Sequence, residues 1–304
     1  MGQQTVKIPD GNQRFPMSNG IKFVFFGGEP LAIPTLEQLR EVDLLPSLVV
    51  AGPDRPSGRG RKLTPPPAKV WAEAHNIPVF QPESLKNPEA LTPLLSREWD
   101  VFVVVAYNAI LPKSLLEHPR YGTLNVHPSL LPFLRGPSPI RSAILKDMST
   151  TGVSIMQMDA EMDHGPIVVQ EEVTIPKEKW PMRGVELDAL LSERGGALLA
   201  KTIPKWVAGE CGPEEQDHDR ATYTQKFSKA DGLINLDDDP YQNLLKIRAF
   251  DGFPGTYFFI EKDGKQIRIK ITDAEIAPDG SLKILRVIPE GKKEMDYVTF
   301  CSQT

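Results

Sequence analysis

Asn125 and His127 stand one residue apart in the stretch Gly122-Thr123-Leu124-Asn125-Val126-His127-Pro128. In a strand, residues two apart project from the same face, so the two side chains would project together at the strand's carboxyl end. An Asn amide can donate to a developing oxyanion. A neighbouring imidazole can donate a proton or a hydrogen bond. That pairing suits attack on a carbonyl-like carbon without a covalent enzyme intermediate. Residue type alone does not decide the matter, because Asn at a strand end is also a turn former.

The elements around this pair follow from hydrophobic patterning. Ile21 to Phe26 is a short apolar run that stops at Gly27-Gly28, which predicts a buried strand and a tight turn. Residues 34–40 have helical spacing with Pro34 near the first turn. Leu48 to Ala51 predicts a second strand, Ala68 to His75 a helix, and Pro78 to Phe80 a short third strand. Val101 to Ala106 is mostly valine, as expected of a strand covered on both faces of a parallel sheet. Strands alternating with helices make an open α/β sheet, where ligands bind beyond the carboxyl ends of the strands.

The second half changes character. Residues 185–206 predict one long amphipathic helix carrying Leu187, Leu190, Leu191, Leu198 and Leu199. Residues 209–220 are polar, with Gly, Pro and acidic groups, and are the expected linker. Alternating strands follow at 256–261, 266–272 and 282–288, after a helix near Tyr241 to Phe250. They predict a small β-barrel or sandwich. The expected division is a loose tail at 1–20, a catalytic domain at 21–208, a linker at 209–220 and a second domain at 221–304.

Composition sets limits. The 304 residues are 40% hydrophobic and 25% charged, ordinary for a soluble globular protein. A net charge of −5 argues against non-specific coating of nucleic acid, which needs surplus Lys and Arg. Cys211 and Cys301 are too far apart for a CxxC motif, so a reduced cytoplasmic setting is expected. No run of about 18 apolar residues predicts a membrane span. The first residues lack the apolar core of a signal peptide. Neither GxGxxG nor a Walker A string follows the first strand, which argues against nicotinamide or nucleoside triphosphate use.

The longer string is more informative than its parts. It runs Asn125-Val126-His127-Pro128-Ser129-Leu130-Leu131-Pro132, then Arg135-Gly136-Pro137, then Thr151 to Asp159, then Met162-Asp163-His164-Gly165. It resembles the folate-dependent formyltransferases, from about Phe23 to Lys293. The likeness extends to Asp54-Arg55-Pro56-Ser57-Gly58-Arg59-Gly60-Arg61-Lys62 and to Thr222-Tyr223, Ser228-Lys229 and Pro254-Gly255. Two stretches depart from the family pattern: Gly27-Gly28-Glu29-Pro30-Leu31, where Gly-Thr-Pro-Glu-Phe is usual, and Asn108, where Gly is usual.

The resemblance implies an open, mostly parallel Rossmann-like sheet and a smaller C-terminal OB-like β-barrel domain. It implies 10-formyltetrahydrofolate as donor, no metal, and a monomer. Asn125, His127 and Asp163 would be catalytic, with Asp163 orienting His127. Ser129, Leu130, Leu131 and Pro132 would line the folate side. Arg55, Arg59, Arg61 and Lys62 would engage an acceptor tRNA, initiator methionyl-tRNA in the members this string is most similar to. Asp159 and Glu161 are competing carboxylates. Rival readings keep the trio and change the acceptor to an amino-sugar nucleotide, another small amine or water. A non-catalytic RNA-binding protein with an OB-like domain is the rival of a different class.

Overall fold

A computed structural model of the chain describes residues 18, 20–57 and 60–302. The tail expected at 1–20 falls outside these, apart from Ser18 and Gly20. The elements run β1 (Phe23–Phe26), α1 (Ala32–Glu41), β2 (Leu48–Val50), β3 (Arg55–Ser57), β4 (Lys62–Thr64), α2 (Pro67–Ala74), β5 (Val79–Phe80), α3 (Thr92–Leu95), β6 (Val101–Val104), α4 (Lys113–Leu116) and β7 (Thr123–His127). Then come α5 (Pro139–Leu145), β8 (Thr150–Gln157), β9 (Ile167–Thr174), α6 (Gly184–Ala208), α7 (Pro240–Ala249), β10 (Thr256–Lys262), β11 (Lys265–Ile276), β12 (Leu282–Pro289), β13 (Met295–Asp296) and α8 (Tyr297–Cys301).

Two compact units form. Of the described residues, the first holds those up to Arg135 together with 152–172 and 189–221; the second holds 136–151, 173–188 and those from Thr222 onward. The first is organised by a sheet of order β5-β2-β1-β6-β7-β8-β9. Pairings from β5 through to β7 are parallel, and β7 pairs β8 antiparallel. The sheet is therefore mostly parallel, as the apolar runs require. Every residue of β1, β2 and β6 is buried, since parallel strands are covered on both faces. Val24, Phe26, Leu48, Val50, Phe102 and Val104 form one core cluster with Leu94, Trp99 and Leu115.

Two differences from expectation bear on the site. The basic segment after β2 is a short hairpin, β3 paired with β4 in the register Arg55↔Thr64 and Ser57↔Lys62. All six of its strand residues are exposed, so no burial pattern marks it in the sequence. The motif after Met148 forms β8, which extends the sheet beyond β7 in register Asn125↔Met156 and His127↔Ser154.

Val126 points away from its two neighbours and toward helix α6. A Cβ on Gly195 would come within 2.7 Å of Val126 and 3.1 Å of Val153, so glycine there lets the helix approach the strand. Thr35 Oγ1 donates to the Ser192 carbonyl at 3.2 Å and ties α1 to the same helix. The strand bearing Asn125 and His127 is thus clamped on its opposite face.

The second unit is built on an antiparallel sheet of open order β10-β11-β12-β13. Its core contains Leu244, Ile247, Phe258, Ile269, Ile271, Val287 and Phe300. Helix α5 packs against α7 in this unit. Arg141 of α5 makes a two-pronged ion pair with Asp188, both oxygens at 2.6 Å.

Candidate active site

Helix α6 and the flanking strands fix β7, and β7 fixes its side chains. His127 is 5% exposed. Its Nε2 lies 3.0 Å from the Leu134 carbonyl oxygen. A carbonyl only accepts, so the proton of that bond belongs to Nε2. Leu134 takes a positive φ of 59°. The other ring nitrogen, Nδ1, lies 3.6 Å from Asp163 Oδ1. That is an ion-pair distance but too long for a hydrogen bond. Nδ1 is the nitrogen left available for chemistry. Asn125 sits half-buried two residues earlier, on the same face of β7.

The loop after β7 is tied down by its own polar groups. Ser129 Oγ donates to the Phe133 carbonyl at 2.6 Å. Ser154 Oγ donates to the Ser129 carbonyl at 2.6 Å and accepts from the Leu131 amide at 3.1 Å. Gln170 Nε2 donates to the Leu131 carbonyl at 2.9 Å. Of the four residues expected on the folate side, Ser129 and Leu131 are buried within this lattice, while Leu130 and Pro132 are half-buried. The loop is mostly apolar in sequence, and its backbone, held by Ser154 of β8 and Gln170 of β9, supports His127.

Asp163 comes from the turn between β8 and β9, at a positive φ of 51°. Asp tolerates that conformation better than most residues. The competing carboxylate Asp159 is committed elsewhere: its Oδ2 lies 2.7 Å from His164 Nδ1 and its Oδ1 accepts from the Glu161 amide at 2.9 Å. Gly165 closes the turn. A Cβ there would overlap the Gln157 carbonyl oxygen. Gly165→Ala is expected to cost about 1–3 kcal/mol through this clash, read as a fall in thermal midpoint. An unchanged midpoint would mean the turn can move freely.

Residues 21–182 match the formyl transferase family model. The methionyl-tRNA formyltransferase of Chloroflexus aurantiacus is 41% identical over 261 residues, covering 86% of this chain and 82% of that protein. That of Herpetosiphon aurantiacus is 38% identical over 294 residues, covering 90% and 95%. The chain belongs to the formyl transferase family. Among solved structures, a methionyl-tRNA formyltransferase from Clostridium thermocellum superposes with a TM-score of 0.57 at 16% identity, over 91% of this chain and 99% of that one. An N-formyltransferase from Helicobacter canadensis, solved with folinic acid and dTDP-3-aminofucose, gives 0.60 at 17% identity, over 84% and 89%. At these identities the likeness is one of fold.

In this formyltransferase the two departures from the family pattern meet. Asn108 Nδ2 donates to Glu29 Oε1 at 2.7 Å, joining the loop after β1 to the loop after β6. The segment after β2 is anchored where its hairpin begins: Lys69 Nζ lies 3.0 Å from Asp54 Oδ1, and Gln81 Nε2 donates to the same oxygen at 2.8 Å. Arg55, Arg61 and Lys62 stand exposed on the hairpin, and Arg59 lies outside the described residues. Among the described residues no group of three or more His, Cys, Asp or Glu is placed to hold a metal ion.

Sequence reasoning missed four residues beside the trio. Arg135 is 1% exposed and is the largest of the fully buried side chains among the described residues. Its guanidinium meets Gln216 and His218, and the His218 ring stacks on His164 at 4.0 Å between centroids. Arg135 was visible only as part of an Arg-Gly motif. Gln216 and His218 lie in the segment read as a linker, and no local pattern distinguishes them.

Proposed function

We propose that this formyltransferase moves the formyl group of 10-formyltetrahydrofolate to the α-amine of initiator methionyl-tRNA. The observation that carries this is identity of 38–41%, along most of both chains, to proteins named for that reaction. The neutral amine attacks the formyl carbon. A new N–C bond forms as the bond to N10 breaks; the amine gives up a proton and N10 gains one. Between these events the formyl oxygen carries negative charge. The Asn125 amide and the Nδ1 side of a protonated His127 stabilise it, and Asp163 holds the imidazole and assists the amine's proton transfer. Leu130 and Pro132, with their buried neighbours Ser129 and Leu131, form the folate side of the site. On this reading the protein works as a monomer in the cytoplasm, where initiator tRNA is used. Among the described residues no helix is long and apolar enough to cross a membrane.

The test is direct. The protein is incubated with 10-formyltetrahydrofolate and charged initiator tRNA, and separately with dTDP-linked amino sugars. N-formylmethionyl-tRNA is the expected product. Donor consumption with an amino sugar alone would overturn the acceptor assignment.

The basic segment supplies the tRNA contact on this reading, through Arg55, Arg61 and Lys62 of the exposed hairpin and through Arg59, which lies outside the described residues. Clustered Arg suits two-pronged contact with phosphate. Replacing Arg55, Arg61 and Lys62 together by Ala is expected to raise KM for tRNA by about tenfold or more, the equivalent of one charge-assisted hydrogen bond. KM for the folate donor should not move. Equal changes in both would remove the hairpin from acceptor binding.

A further inference from the structure

Gln216 lies in a polar segment, yet it is only 5% exposed. Its amide faces in two directions at once. Arg135 Nε and Nη2 both donate to its Oε1, at 3.1 and 2.6 Å. Its Nε2 donates to the Asp163 carbonyl at 2.9 Å and to the Gly165 carbonyl at 2.6 Å. A guanidinium can only donate and a carbonyl can only accept. The orientation of the amide is therefore fixed by chemistry: oxygen toward Arg135, nitrogen toward the turn. Arg135 is itself held in place, with Nη2 2.9 Å from His218 Nδ1.

The turn needs such a hold. Asp163 sits at positive φ, and Gly165 is pressed against the Gln157 carbonyl oxygen with no room for a side chain. Asp163 Oδ1 stands 3.6 Å from His127 Nδ1, and that separation depends on where the turn's backbone sits. Arg135 follows closely on the loop that carries Leu134, whose carbonyl oxygen tethers the other nitrogen of His127. One guanidinium–amide link thus spans the supports of both members of the pair.

We propose that Gln216, locked by Arg135, is the positioning residue that sets Asp163 against His127. This rests on the catalytic role of Asp163 proposed above. Gln216 touches no reacting atom; it acts through the backbone of the Asp163 turn. Only an amide serves here. Glutamate has the same shape and still accepts from Arg135, but it turns an acceptor toward two carbonyl oxygens.

Gln216→Glu tests this, with Gln216→Met as a second variant that keeps the volume and buries no charge. The expected result for both is a kcat about 10- to 100-fold lower, the usual consequence of a displacement of about 1 Å near reacting groups. KM for donor and for tRNA should stay near the wild-type values, because the lost interaction serves the transition state. In an Asp163→Ala background, Gln216→Glu should cause no further loss, as two residues acting through one link are non-additive. Amide hydrogen exchange across residues 159–166 should quicken in both variants, whatever the acceptor. A wild-type protein that fails to formylate methionyl-tRNA would sink the acceptor assignment and leave the exchange result to decide the positioning role. Undiminished kcat, or exchange at the wild-type rate, in both variants overturns it, as does a full additional loss on top of Asp163→Ala.

Discussion

His127→Gln is expected to lower kcat for formyl transfer by about two to four orders of magnitude, the range for removing a positioned acid–base group. The ring's two nitrogens have separate tasks. Nε2 is occupied by the Leu134 carbonyl at 3.0 Å, and Nδ1 faces Asp163. A glutamine amide nitrogen reaches roughly where Nε2 stood, so the tether survives while the Nδ1 function is lost. His127→Asn also removes the titratable ring, and it gives up the tether as well. It keeps a polar atom near Nδ1 but withdraws a donor from the buried Leu134 carbonyl, at about 1 kcal/mol of stability. The pair separates chemistry from architecture: H127Q should be slow with a thermal midpoint near wild type, and H127N slow with a lowered one. An H127Q enzyme turning over at the wild-type rate would remove His127 from the mechanism.

That two-sided dependence could not be read from the sequence, though the strand under it could. Continuous apolar runs at Phe23–Phe26 and Val101–Val104 made the centre of the sheet legible, because complete burial leaves only one residue class acceptable. The spacing of Asn125 and His127 placed them on one face of β7 for the same local reason. β8 and β9 were not read as strands. β9 places Ile167, Val168 and Val169 in one block and Gln170, Glu171 and Glu172 in the next, so it has no period of two to read, and most of its residues are only half-buried or exposed. Every residue of strands β3 and β4 is exposed and β3 contains Pro56, so nothing in their composition demands pairing.

The supporting network was hidden for a different reason. Arg135 and Gln216 are 81 positions apart, and no periodicity spans that separation. Each belongs to a stretch whose composition reads as loop. Their burial depends on mutual hydrogen bonding, which releases the cost of taking a guanidinium and an amide out of water. The Glu29–Asn108 contact is similar: both positions stood out as departures from the family pattern, and only the fold reveals that they meet.

Replacing Asp163 by Asn is expected to reduce kcat by about two to three orders of magnitude, while the same change at Asp159 leaves most of the activity. The two carboxylates are four residues apart in one turn, and the sequence leaves them as competitors. Their surroundings separate them. Asp159 is engaged by His164 Nδ1 at 2.7 Å and by the Glu161 amide, which makes it a brace for the turn. Asp163 directs Oδ1 at His127 Nδ1 across 3.6 Å, a gap that a shared ligand or a small closure can bridge. Asn is the better probe than Ala, because Asn also accepts the positive φ of 51° at this position, whereas Ala adds backbone strain. An Asn side chain retains the shape, loses the charge and exchanges one acceptor oxygen for a donor NH2. A loss shared by D163N and Asp163→Ala would therefore be assigned to the carboxylate, and a loss confined to the Ala variant to the backbone. Initial rates with saturating 10-formyltetrahydrofolate and methionyl-tRNA decide between them. Near-normal turnover by D163N beside a crippled Asp159→Asn would transfer the role to Asp159 and make the His164 contact, rather than the His127 contact, the one that matters for formyl transfer.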